Sequence, residues 1–249
     1  MPVPFYRYSL ETAKSEECVE RYKTSIEENQ RCKDYIQDNE TGFYANAYKD
    51  NCVDSDGSYT KSLIKEFGME RVLNMYAVTA RAHNSDGRIS NDVKEWAKSF
   101  NAGLRHNEDV RESLITQINP GIIDLLAKQA IKEFNDLKLF TTEHCDRNIN
   151  YYEGEVVVIS HKSLKEEYWS PENQLWLATD GFGCDPTKIG RAVYATCLMD
   201  NERSRWDRGQ IVGVIKDELL PGWAKEKLKE FIEEKEKIEN TEENNMNLG

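Results

Sequence analysis

The chain has 249 residues, of which 39% are hydrophobic and 31% are charged, and its mean hydropathy is -0.75. These values describe a soluble globular protein, long enough for one large domain or two small ones. The formal net charge of -12 argues against general binding to DNA or to an anionic membrane. The longest purely aliphatic run, Val156–Ile159, is too short for a membrane span or a signal peptide, so we expect a cytoplasmic protein without a membrane partner.

The first part of the chain has the spacing of amphipathic helices. Between Ser9 and Asn39 there is neither Gly nor Pro, and apolar residues recur near helical spacing, which predicts one long or two short helices. Thr41-Gly42 interrupts this pattern and predicts a polar loop as far as Tyr59. The apolar faces of the helices predicted next lie within Leu63–Phe67, Val72–Ala80, Val93–Phe100, Val110–Ile118 and Ile122–Phe134.

Turn and capping residues separate these helices. Gly68 suits a left-handed cap, Asn84–Gly87 predicts a turn, and Ser90 is a candidate N-cap. Asn107 is a second candidate N-cap, and Asn119-Pro120 predicts the boundary between one helix and the next.

Around Tyr151 the apolar spacing changes from helical to strand-like. The β-branched run Glu155–Ser160 and the stretches Arg191–Met199 and Gln210–Lys216 predict strands. A last helix is expected to begin near Pro221, because proline suits the first turn of a helix.

The predicted fold class is α+β, with an all-helical N-terminal domain followed by a small mixed α/β domain that has an antiparallel sheet and a C-terminal helix. We place the helical domain at residues 1–145, the small α/β domain at 150–238 and a polar disordered tail at 239–249. Residues 151–249 hold 20 acidic and 13 basic side chains, and residues 217–243 alone hold 10 acidic and 5 basic, so most of the negative charge of the second part lies in and after the last helix.

Six cysteines and four histidines are the candidates for metal or redox chemistry, and they form no paired motif of short spacing. We therefore expect reduced thiols, no metal site and no cofactor. Residues 54–57 and 84–90 imitate the centre of a calcium loop, but both lack the first and the twelfth ligand of such a loop.

A glycine loop is the most conspicuous candidate site of the second part. Its residues are Gly181, Gly183, Cys184 and Asp185. It lacks the third glycine of a dinucleotide loop and the Lys-Ser or Lys-Thr of a phosphate loop. Either Cys184 is a nucleophile with His161 or His144 as its base, or the loop is a tight turn around an inert thiol, which is the favoured interpretation.

A short basic segment is the second candidate site, for a ligand or a nucleic acid. Its residues are Arg203, Arg205, Trp206 and Arg208, with Arg191 as a further anion ligand. Strand alternation places Arg203 and Arg205 on one face, where they could bind phosphates beside a stacked base. The same residues equally suit an edge strand that its charges keep soluble, with Trp206 in the core.

Several motifs resemble a bacterial family of domains of unknown function. They are Val3–Arg7, Phe67–Leu73, Asp86–Ser90, Lys94–Ala97 and Asn119–Gly121. The family-motif residues that we include among the candidate site residues are Asp86, Gly87, Arg88, Lys94 and Trp96. This family recurs in accessory proteins of conjugative transposons and other mobile elements. A second set of motifs resembles a module that often follows it, and the two resemblances together span most of residues 3–225.

The resemblance implies an accessory protein of a mobile element and carries no assigned catalytic residues. We expect the protein to act by protein–protein binding, as an anti-restriction or other anti-defence factor. Its partner would be a host or element protein with a basic surface, which the acidic helical surface would contact. The alternative is an enzyme, or a nucleotide- or nucleic-acid-binding module, centred on Gly181–Asp185 and Arg203–Arg208.

Overall fold

The structure is a computed structural model that describes residues 2–50, 53–54, 56–100, 110–146 and 148–232. It divides into two compact units, Met1–Asp136 and Leu137–Gly249. The described residues form eight α-helices in the first unit, and a six-stranded antiparallel sheet with one C-terminal helix in the second. The predicted α+β fold class is confirmed.

The first unit is built around its fifth helix. The helices are α1 (Leu10–Ser15), α2 (Val19–Asp38), α3 (Glu40–Asp50), α4 (Ser58–Phe67), α5 (Met69–Ala82), α6 (Asn91–Phe100), α7 (Val110–Ser113) and α8 (Pro120–Asn135). Helix α5 packs against α2, α4, α6, α7 and α8, and its Leu73, Met75 and Tyr76 are completely buried. Burial of these large side chains makes α5 the centre of the core of this unit.

A buried arginine ties the start of the chain to α5. Arg71 is only 1% exposed, and its guanidinium donates hydrogen bonds of 2.7 Å to the carbonyl oxygens of Val3 and Phe67. Its Nε donates to Asn29 Oδ1 at 2.9 Å. A buried charged group needs such hydrogen bonds, because without them the free-energy cost of removing the group from water would not be offset.

Two capping predictions in the first unit are confirmed. Gly68 ends α4 and precedes α5 with a φ of +89°, a backbone conformation that favours glycine. Asn119 caps α8, because its side-chain oxygen accepts the N–H of Gly121 at 2.9 Å.

The predicted polar loop after Thr41 is wrong at its beginning. Residues Glu40–Asp50 form α3, although Gly42 lies in its first turn. The tertiary contacts explain the difference, since Phe43 is 3% exposed and its ring packs edge-on against Tyr59 with centroids 4.8 Å apart. Burial of an aromatic side chain outweighs the cost of about 1 kcal/mol for a glycine in a helix.

The helix predicted over residues 110–118 is shorter than its apolar pattern indicates. Helix α7 ends at Ser113, and the N–H of Ile115 donates to Thr79 Oγ1 of α5 at 3.0 Å. That bond replaces the helical bond to the residue four positions earlier. The candidate N-cap Asn107 lies outside the described residues.

The second unit is a sheet with the strand order β1-β6-β2-β3-β4-β5. The strands are β1 (Cys145–Asp146), β2 (Val156–Ile159), β3 (Leu175–Asp180), β4 (Ala192–Cys197), β5 (Arg203–Asp207) and β6 (Ile211–Ile215). The three predicted strands correspond to β2, β4 and β6, and β5 occupies the basic segment for which an edge strand was one of two interpretations. The pattern did not predict β3, whose apolar residues follow a Ser-Pro turn without clean alternation, or β1, which is only two residues long.

Each face of the sheet has an apolar core. Val157, Val193 and Ala195 point to one face, whereas Val156 and Val158 point to the other, as alternation along a strand requires. A C-terminal helix, α9, occupies residues 222–232, and its Trp223, Leu228 and Phe231 pack against the second face, as does Leu220 just before it. The margin formed by β4 and β5 on this second face carries polar and charged side chains instead.

Candidate functional site

Strand β5 is the last strand of the sheet and pairs with β4 alone among the described strands. Arg203 lies opposite Thr196, and Arg205 lies opposite Tyr194. Residues opposite each other in antiparallel strands point to the same face. These four side chains therefore share one face of the sheet, and Trp206 points to the other face, where its ring packs edge-on against the ring of Trp176 with centroids 5.0 Å apart.

An open groove of about 570 Å³ lies along this face. Its polar lining comes mainly from Thr179, Asp180, Tyr194, Thr196, Arg203 and Arg205. The Tyr194 side chain is 48% exposed, and both arginines are exposed. The groove thus combines an aromatic surface with two guanidinium groups, which suits a ligand with negative charge and some apolar surface.

The hydrogen bonds between β4 and β5 decide which backbone groups lie at the outer edge of the sheet. Arg208 N donates to Arg191 O at 2.7 Å, and Cys197 N donates to Glu202 O at 2.8 Å. Pairs of opposite residues in an antiparallel ladder alternate between hydrogen-bonded and non-hydrogen-bonded. The even-numbered residues of β5 therefore direct their N–H and C=O groups toward β4, and the odd-numbered residues direct theirs outward.

Three residues of β5 thus present backbone groups at the edge. The N–H of Asp207 donates to Gln210 Oε1 at 2.8 Å, so the end of the edge is already occupied. The outward groups of Arg203 and Arg205 remain at the open part of the edge. Within the described chain, neither guanidinium forms an ion pair or a side-chain hydrogen bond.

Arg191 is exposed but is paired with another residue of the protein. Its Nε and Nη2 donate to both carboxylate oxygens of Asp207 at 2.7 to 3.1 Å. These hydrogen bonds, with further contributions from the Gly209 N–H and from Arg205, hold the pKa of the Asp207 carboxyl below its usual range. The Arg191–Asp207 ion pair joins the start of β4 to the end of β5. It leaves the Arg191 guanidinium less available to a ligand.

Arg208 has a similar internal role. It donates to the carbonyl oxygen of Gly183 and, at 2.6 Å, to that of Asn150, and its guanidinium lies over the ring of Tyr152 at 4.2 Å. The structure therefore brings the basic segment and the glycine loop together, but through a contact that holds the loop in place.

The glycine loop is a tight turn between β3 and β4. Gly181 has a φ of +116°, and a Cβ atom there would lie 2.2 Å from Ala192 O, so only glycine fits. Cys184 is 1% exposed, and its thiol donates to Asp180 O at 3.2 Å. Burial, and then the carboxylates of Glu153 and Asp180, raise the pKa of the Cys184 thiol, which disfavours the thiolate that a nucleophile needs.

The other residues proposed to work with Cys184 lie in separate contacts. His161 packs edge-on against Trp169 with ring centroids 5.1 Å apart, and His144 Nδ1 accepts the N–H of Thr141 at 2.9 Å. The Asp185 carboxylate accepts the N–H and the hydroxyl of Thr187 at 2.9 and 2.7 Å, as in an ordinary turn.

The family-motif residues lie in a turn before α6, which contains Asp86, Gly87 and Arg88, and on α6 itself, which contains Lys94 and Trp96. The Asp86 carboxylate accepts Arg88 Nε at 3.0 Å and Nη2 at 2.7 Å, and Lys94 Nζ donates to Asp86 O at 2.9 Å. Hydrogen bonds from Arg88 hold the pKa of the Asp86 carboxyl well below its usual range. Gly87 lies in this turn, and the ring of Trp96 packs near Phe100 within α6 with centroids 5.3 Å apart.

Sequence reasoning missed two parts of this picture. Tyr194 belongs to the groove only because the register of β4 on β5 places it opposite Arg205. Asp124 of α8 accepts the hydroxyl of Ser90 at 2.6 Å and pairs with Lys128 at 2.8 Å, which anchors the start of α6. The Tyr194–Arg205 and Ser90–Asp124 contacts have no local sequence signal, since each joins residues that are not neighbours in the chain, whereas Asp124 and Lys128 are four residues apart on α8.

Among the described residues, no three or more His, Cys, Asp and Glu side chains are grouped where they could hold a metal ion. None of the described helices has both the length and the apolar character that crossing a membrane requires. The described cysteines are free, namely Cys18, Cys32, Cys145, Cys184 and Cys197.

Comparison with known proteins gives one match. The model of a family described as a protein of unknown function, DUF3849, matches residues 5–135, which is more than half of the chain. No curated protein and no solved structure matches the chain. The matched residues include the motifs Asp86–Ser90 and Lys94–Ala97, on which the resemblance to a domain of unknown function was based. The chain therefore belongs to the DUF3849 family.

Proposed function

We propose that this protein is an accessory protein of mobile genetic elements that acts by binding another protein, and that it protects the element against host defence such as restriction. The mobile-element context comes from the sequence resemblance. The observation that carries the binding role is the open margin of the sheet, where no described strand pairs with the outer edge of β5, beside the exposed side chains of Tyr194, Arg203 and Arg205.

Binding fits this margin better than catalysis does. The candidate nucleophile Cys184 is buried and its thiol proton is directed to a backbone carbonyl. Arg191 and Arg208 already have carboxylate and carbonyl partners. What remains exposed at the groove is a pair of cations, an aromatic ring and the carboxylate of Asp180, a combination that suits recognition of a partner.

The net charge supports a partner with a basic surface. The chain carries a net charge of -12, and residues 217–243 hold 10 acidic and 5 basic side chains, among them the exposed Glu226 and Glu230. An acidic segment accelerates association with a basic surface through long-range attraction, which salt weakens. In this proposal the acidic segment 217–243 contributes the electrostatic attraction, and the sheet margin contributes the specific contact.

An inhibition assay tests the proposal. Purified full-length protein in excess should lower the activity of a host restriction nuclease on unmodified DNA, and the effect should decrease as salt is raised. The double variant Glu226→Lys/Glu230→Lys should weaken inhibition, whereas Glu20→Lys, an exposed change on α2, should not. Unchanged nuclease activity with excess wild-type protein would overturn the anti-restriction role.

Nucleic-acid or nucleotide binding is the second candidate, and one observation favours it. Tyr194 is exposed directly opposite Arg205, an arrangement that can stack a base beside a phosphate. A fluorescent single-stranded oligonucleotide should then bind with an affinity that falls steeply with salt and is lost in Tyr194→Ala. The related enzyme reading predicts that Cys184→Ala abolishes turnover of a nucleotide substrate.

A further inference from the structure

We propose that β5 accepts an extended segment of a partner protein as a seventh strand of the sheet, and that this segment carries carboxylates on alternate residues that face Arg203 and Arg205. The proposal rests on the proposed protein-binding function and specifies its site and the chemistry of the partner segment. It is a mode in which backbone hydrogen bonds supply affinity and side chains supply selectivity.

The backbone of β5 can form hydrogen bonds with an added strand at its outer edge. The ladder with β4 uses the N–H and C=O groups of the even-numbered residues of β5, so Arg203 and Arg205 direct theirs to the open edge. An added strand at the usual spacing of about 4.8 Å would form hydrogen bonds with both residues. The N–H of Asp207, bonded to Gln210, marks where this added ladder would end.

The side chains of β5 determine which residues an added strand should carry. Arg203 and Arg205 point to the same face, two residues apart, and an added strand would place its own residues i and i+2 directly opposite them. Carboxylates at those two positions would each meet one guanidinium. The residue between them would point to the other face, next to Ser204 and the partly buried Trp206, so an apolar residue suits it. The predicted motif is acidic–apolar–acidic.

The positive charges of Arg203 and Arg205 disfavour pairing of β5 with the β5 strand of a second molecule. If two β5 strands paired antiparallel about Ser204, Arg203 of one would lie opposite Arg205 of the other, and like charges in such positions are destabilising. Positive charges on an edge strand are a common means of preventing self-pairing. An acidic segment converts that repulsion into attraction. A nucleic-acid strand could meet the arginines, but it has no peptide groups to continue the ladder.

Synthetic peptides test this geometry with the full-length protein. One ten-residue peptide contains Thr-Glu-Val-Glu-Val at its centre, and a control peptide of the same composition contains Thr-Glu-Glu-Val-Val. The alternating peptide should bind in a fluorescence polarisation assay, and the control should bind at least about fivefold more weakly, because it can offer only one carboxylate to the two arginines. Arg203→Gln/Arg205→Gln should weaken the alternating peptide by about tenfold, whereas Arg81→Gln, an exposed change on α5, should not.

Two further measurements separate strand addition from simple ion pairing. N-methylation of the two peptide residues directly opposite Arg203 and Arg205 should abolish binding, because the N–H groups of these residues donate to the edge of β5. N-methylation of the residues between and beside them should not, because their N–H groups point away from β5. On binding, the amide protons of Arg203 and Arg205 should become protected from hydrogen exchange, while those of Ser204 and Trp206 should change little, since they already bond to β4.

The outcomes are distinct from those of the inhibition assay. Equal binding of the two peptides, insensitivity to N-methylation, or binding of a single-stranded oligonucleotide in place of either peptide would overturn strand addition. If the alternating peptide binds as expected but nuclease inhibition is absent, the anti-restriction function fails and the site stands. If inhibition is present and unaffected by Arg203→Gln/Arg205→Gln, the function stands and this site fails.

Discussion

The core of the first unit and the margin of the sheet use arginine in opposite ways. Arg71 is almost completely buried, and its guanidinium is bonded to carbonyl oxygens from the start of the chain and from α4. Arg203 and Arg205 are exposed on the last strand of the sheet. The difference shows that the surroundings of a guanidinium, more than its charge, decide whether it holds the fold together or remains available to a partner.

The second unit contains both situations within one short segment. Arg208 holds the glycine loop through the carbonyl of Gly183, and Arg191 pairs with Asp207, while Arg203 and Arg205 lie at the open edge. Because these arginines differ in their partners, we expect their substitution to change stability by different amounts.

Replacement of Arg71 should have the largest effect on stability. Arg71→Met removes the buried guanidinium and leaves the carbonyl oxygens of Val3 and Phe67 and the side-chain oxygen of Asn29 without their donor. We expect a loss of about 3 to 5 kcal/mol in the free energy of unfolding, measured by urea denaturation of the full chain. Arg81→Met, at an exposed position of the same helix, is the control and should cost less than about 0.5 kcal/mol. Similar losses in the two variants would show that Arg71 does not hold the core.

Replacement of Arg208 should have an intermediate effect. Arg208→Ala removes two hydrogen bonds to carbonyl oxygens and the contact with the Tyr152 ring. We expect a loss of about 1 to 3 kcal/mol and faster alkylation of Cys184 by iodoacetamide, because the loop over that thiol would open more often. An unchanged alkylation rate would contradict the anchoring role of Arg208.

Replacement of the two edge arginines should leave stability nearly unchanged. Arg203→Gln and Arg205→Gln alter exposed side chains that bond to no other described side chain, so each should change the free energy of unfolding by less than about 0.5 kcal/mol. The double variant should, however, self-associate more readily in sedimentation experiments, because the repulsion that opposes pairing of two edges is removed. A clear loss in the free energy of unfolding of either variant would instead show that these arginines stabilise the fold.

The smallest expected effect is a change in the pH dependence of stability. The side-chain hydrogen bonds from Arg191 lower the pKa of the Asp207 carboxyl in the folded state. Its contribution is therefore present above the pKa of the unfolded chain and is lost as the pH falls through the lower folded value. Asp207→Asn should flatten the acid limb of stability below about pH 4, measured by thermal unfolding between about pH 2 and 7. The effect should be small since this ion pair is exposed to solvent, and an identical acid limb in the variant would show no linkage.

Much of the fold follows from local patterns. Apolar spacing predicted most of the helices, and β-branched runs predicted β2 and β6, because a side chain's face depends on short-range periodicity. The errors occur where distant contacts override local preference. Phe43 keeps Gly42 within α3 by packing on Tyr59, and Thr79 captures the N–H of Ile115 and ends α7. No local pattern contains these contacts.

The candidate site divides in the same way. The sequence identifies Arg203 and Arg205 and, through alternation, their common face. It also identifies Gly181 and Gly183 as a turn. It does not distinguish these arginines from Arg191 and Arg208, because that distinction depends on which acceptors the fold brings within hydrogen-bond distance.

The sequence by itself determined the composition of the protein, the helical and strand-like halves, its net charge and its family. Only the tertiary structure decided that β5 is an edge strand, that Tyr194 lies opposite Arg205, and that two of the four arginines are already engaged. The physical reason is that secondary structure reflects the preferences of neighbouring residues, whereas strand order, register and ion pairing join residues far apart in the chain.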